Sequence, residues 1–311
     1  MRRAALVLVA LLAGCAAPQT SMLLERGPEG LPPHAELSSV PFYPQEAHQC
    51  GPAALATALG AEGLEISPDA LTPEVYLPGR EGSLAEEMIA ATRRHAFIAY
   101  RLAPNLENVL REVASGTPVV VLQNLSLPIM PQWHFAVVVG YDLPREQLVL
   151  RSGVTRHYVM TMSNFERTWA RSGYWAMVAL PPDRLPATAT ADGYVSAAIA
   201  LERTNVAAAR KAYATALSRW PDNVVAELGL GNAAYAMGDL AAAEHAYRSA
   251  TRAHPESGDA WNNLAQVLAD TKRPEEARAA AQRAVALGGP RLAQYQETLR
   301  ALAGDPPHPV R

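Results

Sequence analysis

Cysteine and histidine are the side chains best suited to bond-making at neutral pH, and here they are scarce: two cysteines and eight histidines in 311 residues. Cys50 stands where a run of turn formers (Pro41, Pro44, His48, Gln49) gives way to Gly51, Pro52, Ala53, Ala54 and Leu55. Gly51 permits a sharp bend, and Pro52 suits a first helical turn, where its missing N–H costs nothing. The pattern predicts a buried helix over residues 52–60 with a thiol at its start. Unpaired N–H groups and the positive end of the helix dipole there favour the thiolate, the nucleophilic form. A small buried apolar residue is the other reading of a lone cysteine.

A thiol nucleophile needs a base, a group that orients the base, and donors for the oxyanion. His134 is the base candidate. It opens the apolar strand HFAVVVGYD after a loop over residues 126–132, at a sheet edge beside a cleft. The alternative is a packed strand histidine. The remaining histidines fit less well: His34 lies in a Pro/Gly-rich leader, His48 is too close in sequence to fold back, and His95 ends a helix. His157 sits on a polar strand, His245 and His254 in repeats, and His308 in the tail. In this region no cluster of His, Cys, Asp and Glu has ligand spacing, so neither a metal nor a cofactor is predicted.

The elements that must position this pair read as helices first and strands later. Helices are predicted over 52–60, 83–95 (Ser83 as N-cap with Glu86 three residues on, a capping box) and 104–115. Strands are predicted over 118–124, 134–142, 147–151, 156–160 and 174–180, giving an α+β domain with a mainly antiparallel sheet over residues 38–180. Phe165, Trp169 and Trp175 are expected in its core. Residues 181–189 read as a linker. Over residues 190–303 small, aromatic and proline positions recur: Ala209, Ala243 and Ala277; Ala216, Ala250 and Ala284; Tyr213, Tyr247 and Ala281; Pro221, Pro255 and Gly289. The period, about 34 residues, resembles the tetratricopeptide repeat, three units closed by a last helix, making an all-α solenoid. Its inner helices offer Asn232, Tyr235, Asn262, Asn263 and Gln266 to a protein partner. The net charge of −3 leaves no basic footprint for nucleic acid.

At the N-terminus, Arg2 and Arg3 precede an apolar run over residues 4–13 and then Leu12-Ala13-Gly14-Cys15. That run is too short to span a bilayer and reads as a signal peptide over residues 1–14. Its ending resembles the bacterial lipobox, which implies a lipid on Cys15, a tether over residues 15–37, and, with Ala16 next, an outer-membrane anchor facing the periplasm of a Gram-negative bacterium. Cys50 is then left without an intramolecular partner, the mark of a reactive thiol in an exported chain. Residues 304–311 read as a disordered tail.

With these residues in view, Gln45 followed by Cys50-Gly51-Pro52-Ala53-Ala54-Leu55, and then His134 in HFAVVVGYD, resembles the bacteriocin-processing, double-glycine cysteine peptidases and their stand-alone relatives. The resemblance covers roughly residues 38–180. It implies a papain-like fold with Cys50 as nucleophile, His134 as base, and the Gln45 side chain with the Cys50 N–H as oxyanion donors. There are two departures. Gln45 precedes Cys50 by five residues, not the six of papain-like sites, and Gln49 is adjacent. Where the family's orienting Asp or Asn is expected stand Leu150, Arg151 and Ser152; Ser152 is the nearest polar substitute, with Asp142 or Asn124 as recruits. No second apolar span and no phosphate-binding G-x-x-x-x-G-K-[ST] appears, unlike the exporter-fused enzymes. The expected function is a lipid-anchored envelope cysteine peptidase whose repeats recruit a protein partner or substrate. A non-cleaving peptide-binding scaffold and an acyl transferase using the same thiol are the alternatives.

Overall fold

The computed structural model describes residues 17–44 and 49–304. They cluster into two compact units, one running to Pro181 and taking in Pro186–Thr190, the other comprising Pro182–Leu185 and the chain from Ala191 onward. Among the described residues no helix is long and apolar enough to cross a membrane.

The first unit is α+β, as the sequence predicts. Its sheet follows the order β4 (Ile98–Arg101), β9 (Ala176–Leu180), β5 (Val119–Asn124), β6 (Trp133–Asp142), β7 (Gln147–Ser152) and β8 (Thr155–Thr161), and β1 (His34–Glu36) also pairs with β6. All of these pairings are antiparallel. Side chains alternate between the faces of a strand. Phe135, Ala136, Val137, Val138 and Val139 are all buried in succession, so both faces of β6 are covered. One cover is α2 (Cys50–Ala61), buried at every position from Gly51 to Leu59. A helix apolar all round must lie inside, and α2 does. With α3 (Pro68–Val75) and α4 (Ala85–Arg94) it supplies Leu55, Leu59, Leu71 and Met88 to the core around Val137 and Met177. Phe165, Trp169 and Trp175 are buried, as expected.

Three sequence expectations need correction. The leader is no bare tether. Residues Pro18–Arg26 form α1, because the buried carboxylate of Glu166, on α6 (Met162–Ala170), accepts from the Gln19 N–H (2.9 Å), the Thr20 N–H (2.7 Å) and the Thr20 hydroxyl (2.7 Å). Strand β1 then adds to β6, with His34 opposite Asp142 and Glu36 opposite Gly140. Composition could not report a partner this distant in sequence. Likewise the segment read as a linker is held: Glu112, on α5 (Leu106–Ala114), accepts from the Ala187 N–H (3.1 Å) and the Thr188 N–H (2.8 Å). Finally, Ser83 caps nothing. It lies in β3 (Gly82–Ser83), which pairs with β2 (Tyr76–Leu77), and α4 begins after Leu84 with no side-chain cap.

The second unit is all helical: α7 (Ala191–Glu202), α8 (Val206–Arg219), α9 (Val224–Ala236), α10 (Leu240–Ala253), α11 (Gly258–Asp270), α12 (Pro274–Leu287) and α13 (Leu292–Ala303). Each of α8 to α11 starts at a short polar cap, Asn205, Asn223, Asp239 or Ser257, whose side chain accepts the N–H of an alanine three residues on. The repeat packs through small residues. A Cβ on Gly231 would stand 2.4 Å from the Tyr247 ring, so the close approach needs glycine. The polar groups expected to face a partner are mostly engaged with one another. The Asn232 side chain accepts from the Tyr247 hydroxyl (2.8 Å) and the Asn263 amide (3.0 Å), the Tyr235 hydroxyl donates to Asp270, and Asn262 is buried. Stacking brings equivalent positions of successive repeats together, and only Gln266 of this set is exposed without such a bond.

Candidate active site

Helix α2 begins at Cys50 itself, two residues earlier than Pro52 suggested. The thiol therefore lies on the first turn, near the N–H groups of Phe135, Gly51 and Cys50. Phe135 follows His134 on β6, so the strand that carries the base also touches the nucleophile. Gly51 is required here: a Cβ would fall 2.1 Å from the Ser83 hydroxyl oxygen.

His134 is the second residue of β6, opposite Gln123 on β5. Its Nε2 lies 2.8 Å from Ser152 Oγ at the end of β7. That contact leaves Nδ1 as the ring nitrogen free to exchange a proton. Cys50 and His134 line one open cleft of about 1090 Å³. Arg80, Glu81, Ser83 and Glu86 stand on one side of it in sequence, and Gln132, Trp133, Arg171 and Trp175 on the other. The loop feeding β6 is apolar and exposed at Leu127, Ile129, Met130 and Trp133. Its shape is set by Asn124, whose side-chain oxygen accepts from the Ser126 (3.0 Å) and Gln132 (2.9 Å) N–H groups, and by Arg171, which donates to the Ser126 carbonyl (2.7 Å).

Electrostatics depart from the sequence expectation. Burial pushes the Cys50 thiol up, against the downward pull of its three N–H neighbours. Burial also pushes the His134 imidazole down. Desolvation disfavours both charged forms, and it outweighs the helix end. Both shifts favour the neutral thiol and the neutral imidazole over a preformed ion pair.

The structure thus brings Cys50, His134 and Ser152 together. It does not bring Asp142, which ends β6 eight residues beyond His134, roughly 26 Å along the strand. The Asp142 carboxylate accepts from the Arg145 N–H (3.0 Å) and guanidinium (3.2 Å). Asn124 is engaged by its loop. Gln45 and Cys15 lie outside the described residues. Of the described histidines, His134 alone lines this cleft; His95 is bound to Glu74 (2.9 Å) and His157 faces Glu36 (3.3 Å). Among the described residues no group of three or more His, Cys, Asp and Glu could hold a metal ion. Sequence reading missed Ser83 and the cleft position of Trp175. The Gly82-Ser83 pair ahead of a helix was the available signal, and it was read as a cap.

Comparison with known proteins assigns each unit. Residues 37–177 match the Peptidase_C39 like family, and residues 194–236 and 228–291 match the tetratricopeptide repeat. No curated protein matches the chain. Among solved structures, a C39-like peptidase from Bacillus anthracis is 19% identical over 47% of this chain and 97% of its own, with a TM-score of 0.41. The Yersinia enterocolitica type III secretion chaperone SycD, crystallised with a peptide of the translocator YopD, is 19% identical over 36% of this chain and 91% of its own, with a TM-score of 0.34. YrrB, a TPR protein with an unusual peptide-binding site, is 26% identical over 36% of this chain and 58% of its own, with a TM-score of 0.33.

Proposed function

We infer, from an N-terminal unit that is a C39-like peptidase domain and a C-terminal unit that carries tetratricopeptide repeats, that this protein is a cysteine peptidase of the cell envelope. The observation that carries the reading is that Cys50 and His134 line one cleft, with the imidazole Nε2 on the Ser152 hydroxyl. His134 Nδ1 takes the thiol proton as sulfur attacks the scissile carbonyl. The resulting imidazolium protonates the leaving amine, and water then hydrolyses the thioester with His134 as base. The N–H groups of Cys50 and Gly51 stand on the first turn of α2 beside the thiol and would stabilise the oxyanion. Gln45 would complete that pocket, as the family resemblance implies.

Cys15 is read as the lipid anchor and the repeats as the recruiting surface for a protein partner or substrate. The exposed Val225 at the start of α9 offers an apolar contact for it. The deciding experiment is turnover of envelope peptides by the wild type and Cys50→Ala, with palmitate-analogue labelling of wild type and Cys15→Ser alongside. Cleavage that survives in Cys50→Ala removes the mechanism, and labelling that survives in Cys15→Ser removes the anchor.

One observation favours a second reading. Burial keeps the thiol protonated, and the imidazole's partner is a hydroxyl rather than a carboxylate. A domain that binds peptides in this cleft without cleaving them has the same geometry. Peptide bound but intact after long incubation with the wild type would establish that alternative.

A further inference from the structure

We propose that the Ser83 hydroxyl is an oxyanion donor, pairing only when the carbonyl of a bound peptide becomes tetrahedral; this rests on the peptidase reading of the Cys50 site. Its Oγ is buried and has no hydrogen-bond partner among the described residues. A buried hydroxyl without a partner is destabilising, so it calls for an explanation. Capping is not the explanation, because α4 starts after Leu84 with no side-chain bond. Service to the resting sulfur is not it either, since Ser83 Oγ has no hydrogen-bond partner among the described residues, sulfur included.

Position supplies the explanation. Ser83 lines the same cleft as Cys50 and His134. It lies so close to Gly51 that a Cβ there would stand 2.1 Å from Oγ and 2.4 Å from the Ser83 Cβ. The hydroxyl therefore sits against the first turn of α2, beside the backbone N–H groups that stabilise charge next to the nucleophile. A hydroxyl rotates about its C–O bond to aim its hydrogen. A donor unpaired at rest and paired in the tetrahedral state lowers the barrier without tightening ground-state binding.

In the step itself the Sγ–C bond forms and the carbonyl π pair moves to oxygen. That oxygen accepts from the Ser83 hydroxyl and the Cys50 N–H. When the C=O bond re-forms, the C–N bond breaks and the amine leaves with the proton from His134. Ser83 keeps its own proton throughout.

The test uses the full chain and two probes of Cys50. Alkylation by iodoacetamide passes through no oxyanion, whereas acylation by p-nitrophenyl acetate does. Ser83→Ala should slow acylation roughly 100-fold, leave alkylation within about twofold, and leave the melting temperature unchanged or raised. Ser83→Gly, which also relieves the contact with Gly51, should show the same split and guards against a misfolded alanine variant. Acylation within twofold of wild type in both variants overturns the proposal, as does a parallel fall of acylation and alkylation or a lowered melting temperature. If Cys50→Ala is acylated as fast as the wild type, the peptidase reading itself fails. If Cys50→Ala loses acylation and neither Ser83 variant does, that reading stands and Ser83 has no part in it.

Discussion

The two units differ in what surrounds their buried polar groups. In the repeats they close on one another: Tyr247 to Asn232, Asn263 to Asn232, Tyr235 to Asp270, and Tyr295 to Asp259 (2.7 Å). Both units also leave polar atoms buried without hydrogen-bond partners among the described residues, Asn262 Oδ1 and Arg278 Nε in the repeats, Ser83 Oγ and Trp175 Nε1 in the cleft, but only in the cleft is a thiol buried beside them. Satisfied networks rigidify a structure, whereas unsatisfied groups lower its stability. In the cleft they line the same space as Cys50 and His134, groups that can do chemistry, and violations at such a place are expected of a functional site. The contrast teaches that the first unit keeps chemistry in reserve and the second keeps shape.

The strongest way to break that contrast is to remove the nucleophile. Cys50→Ala should abolish acylation by p-nitrophenyl acetate at this site while leaving the denaturation midpoint close to wild type, because it removes one sulfur atom and leaves the α2 backbone bonds in place. A large loss of stability in that variant would mean that Cys50 is there for packing.

The repeats should respond in the reverse sense. Gly231→Val places carbon atoms where the Tyr247 ring now lies, 2.4 Å from the position of a Cβ. Overpacking of this kind costs about 1–3 kcal/mol. A lowered helical melting transition with unchanged Cys50 acylation is expected; loss of acylation in parallel would show that the chemistry depends on the repeats.

A third change sharpens the site rather than breaking it. Ser152→Asp puts a carboxylate against His134 Nε2, where a hydroxyl now stands at 2.8 Å. An adjacent negative charge favours the imidazolium by about one unit or more, so iodoacetamide alkylation of Cys50 near pH 7 should rise roughly tenfold. In the wild type the same rate should keep climbing beyond about pH 8.5, the free-thiol value, because burial holds the proton on sulfur. A wild-type rate that levels off at neutral pH would show that the thiolate is preformed after all.

These sites were not equally legible in the sequence. The repeats could be read because their determinants are local: a cap at Asn223 or Ser257, a small residue at Gly231, an aromatic at Tyr247, each at a fixed offset. Helix α2 and strand β6 were legible for a similar reason, since an all-apolar run must be buried whatever lies around it. Ser152 could be named only as the nearest polar substitute, since its reach to His134 depends on β6–β7 register and a shift at Val138/Gly140. Helix α1 and the role of Glu166 were invisible, because the bond joins positions near the two ends of the first unit. The downward pull of a helix N-terminus on the thiol was legible in sequence, but the burial that opposes it was not.

The smallest expected effect follows from that burial. The imidazole of His134 is held below its ordinary value by desolvation. As pH falls, the unfolded chain therefore binds this proton first, near pH 6.5. The contribution to stability is fully present above that value and is lost as pH drops through the folded one. Urea midpoints measured from pH 7.5 downward should fall more steeply for the wild type than for His134→Gln, which cannot take the proton. Ser152→Asp should turn the sign: with the folded imidazole raised by a neighbouring carboxylate, the contribution is present at low pH and is lost as pH rises through the folded value. Curves for the three proteins that run parallel would mean that His134 is wet in the folded state. The cleft would then have lost the dry environment that disfavours the charged imidazole.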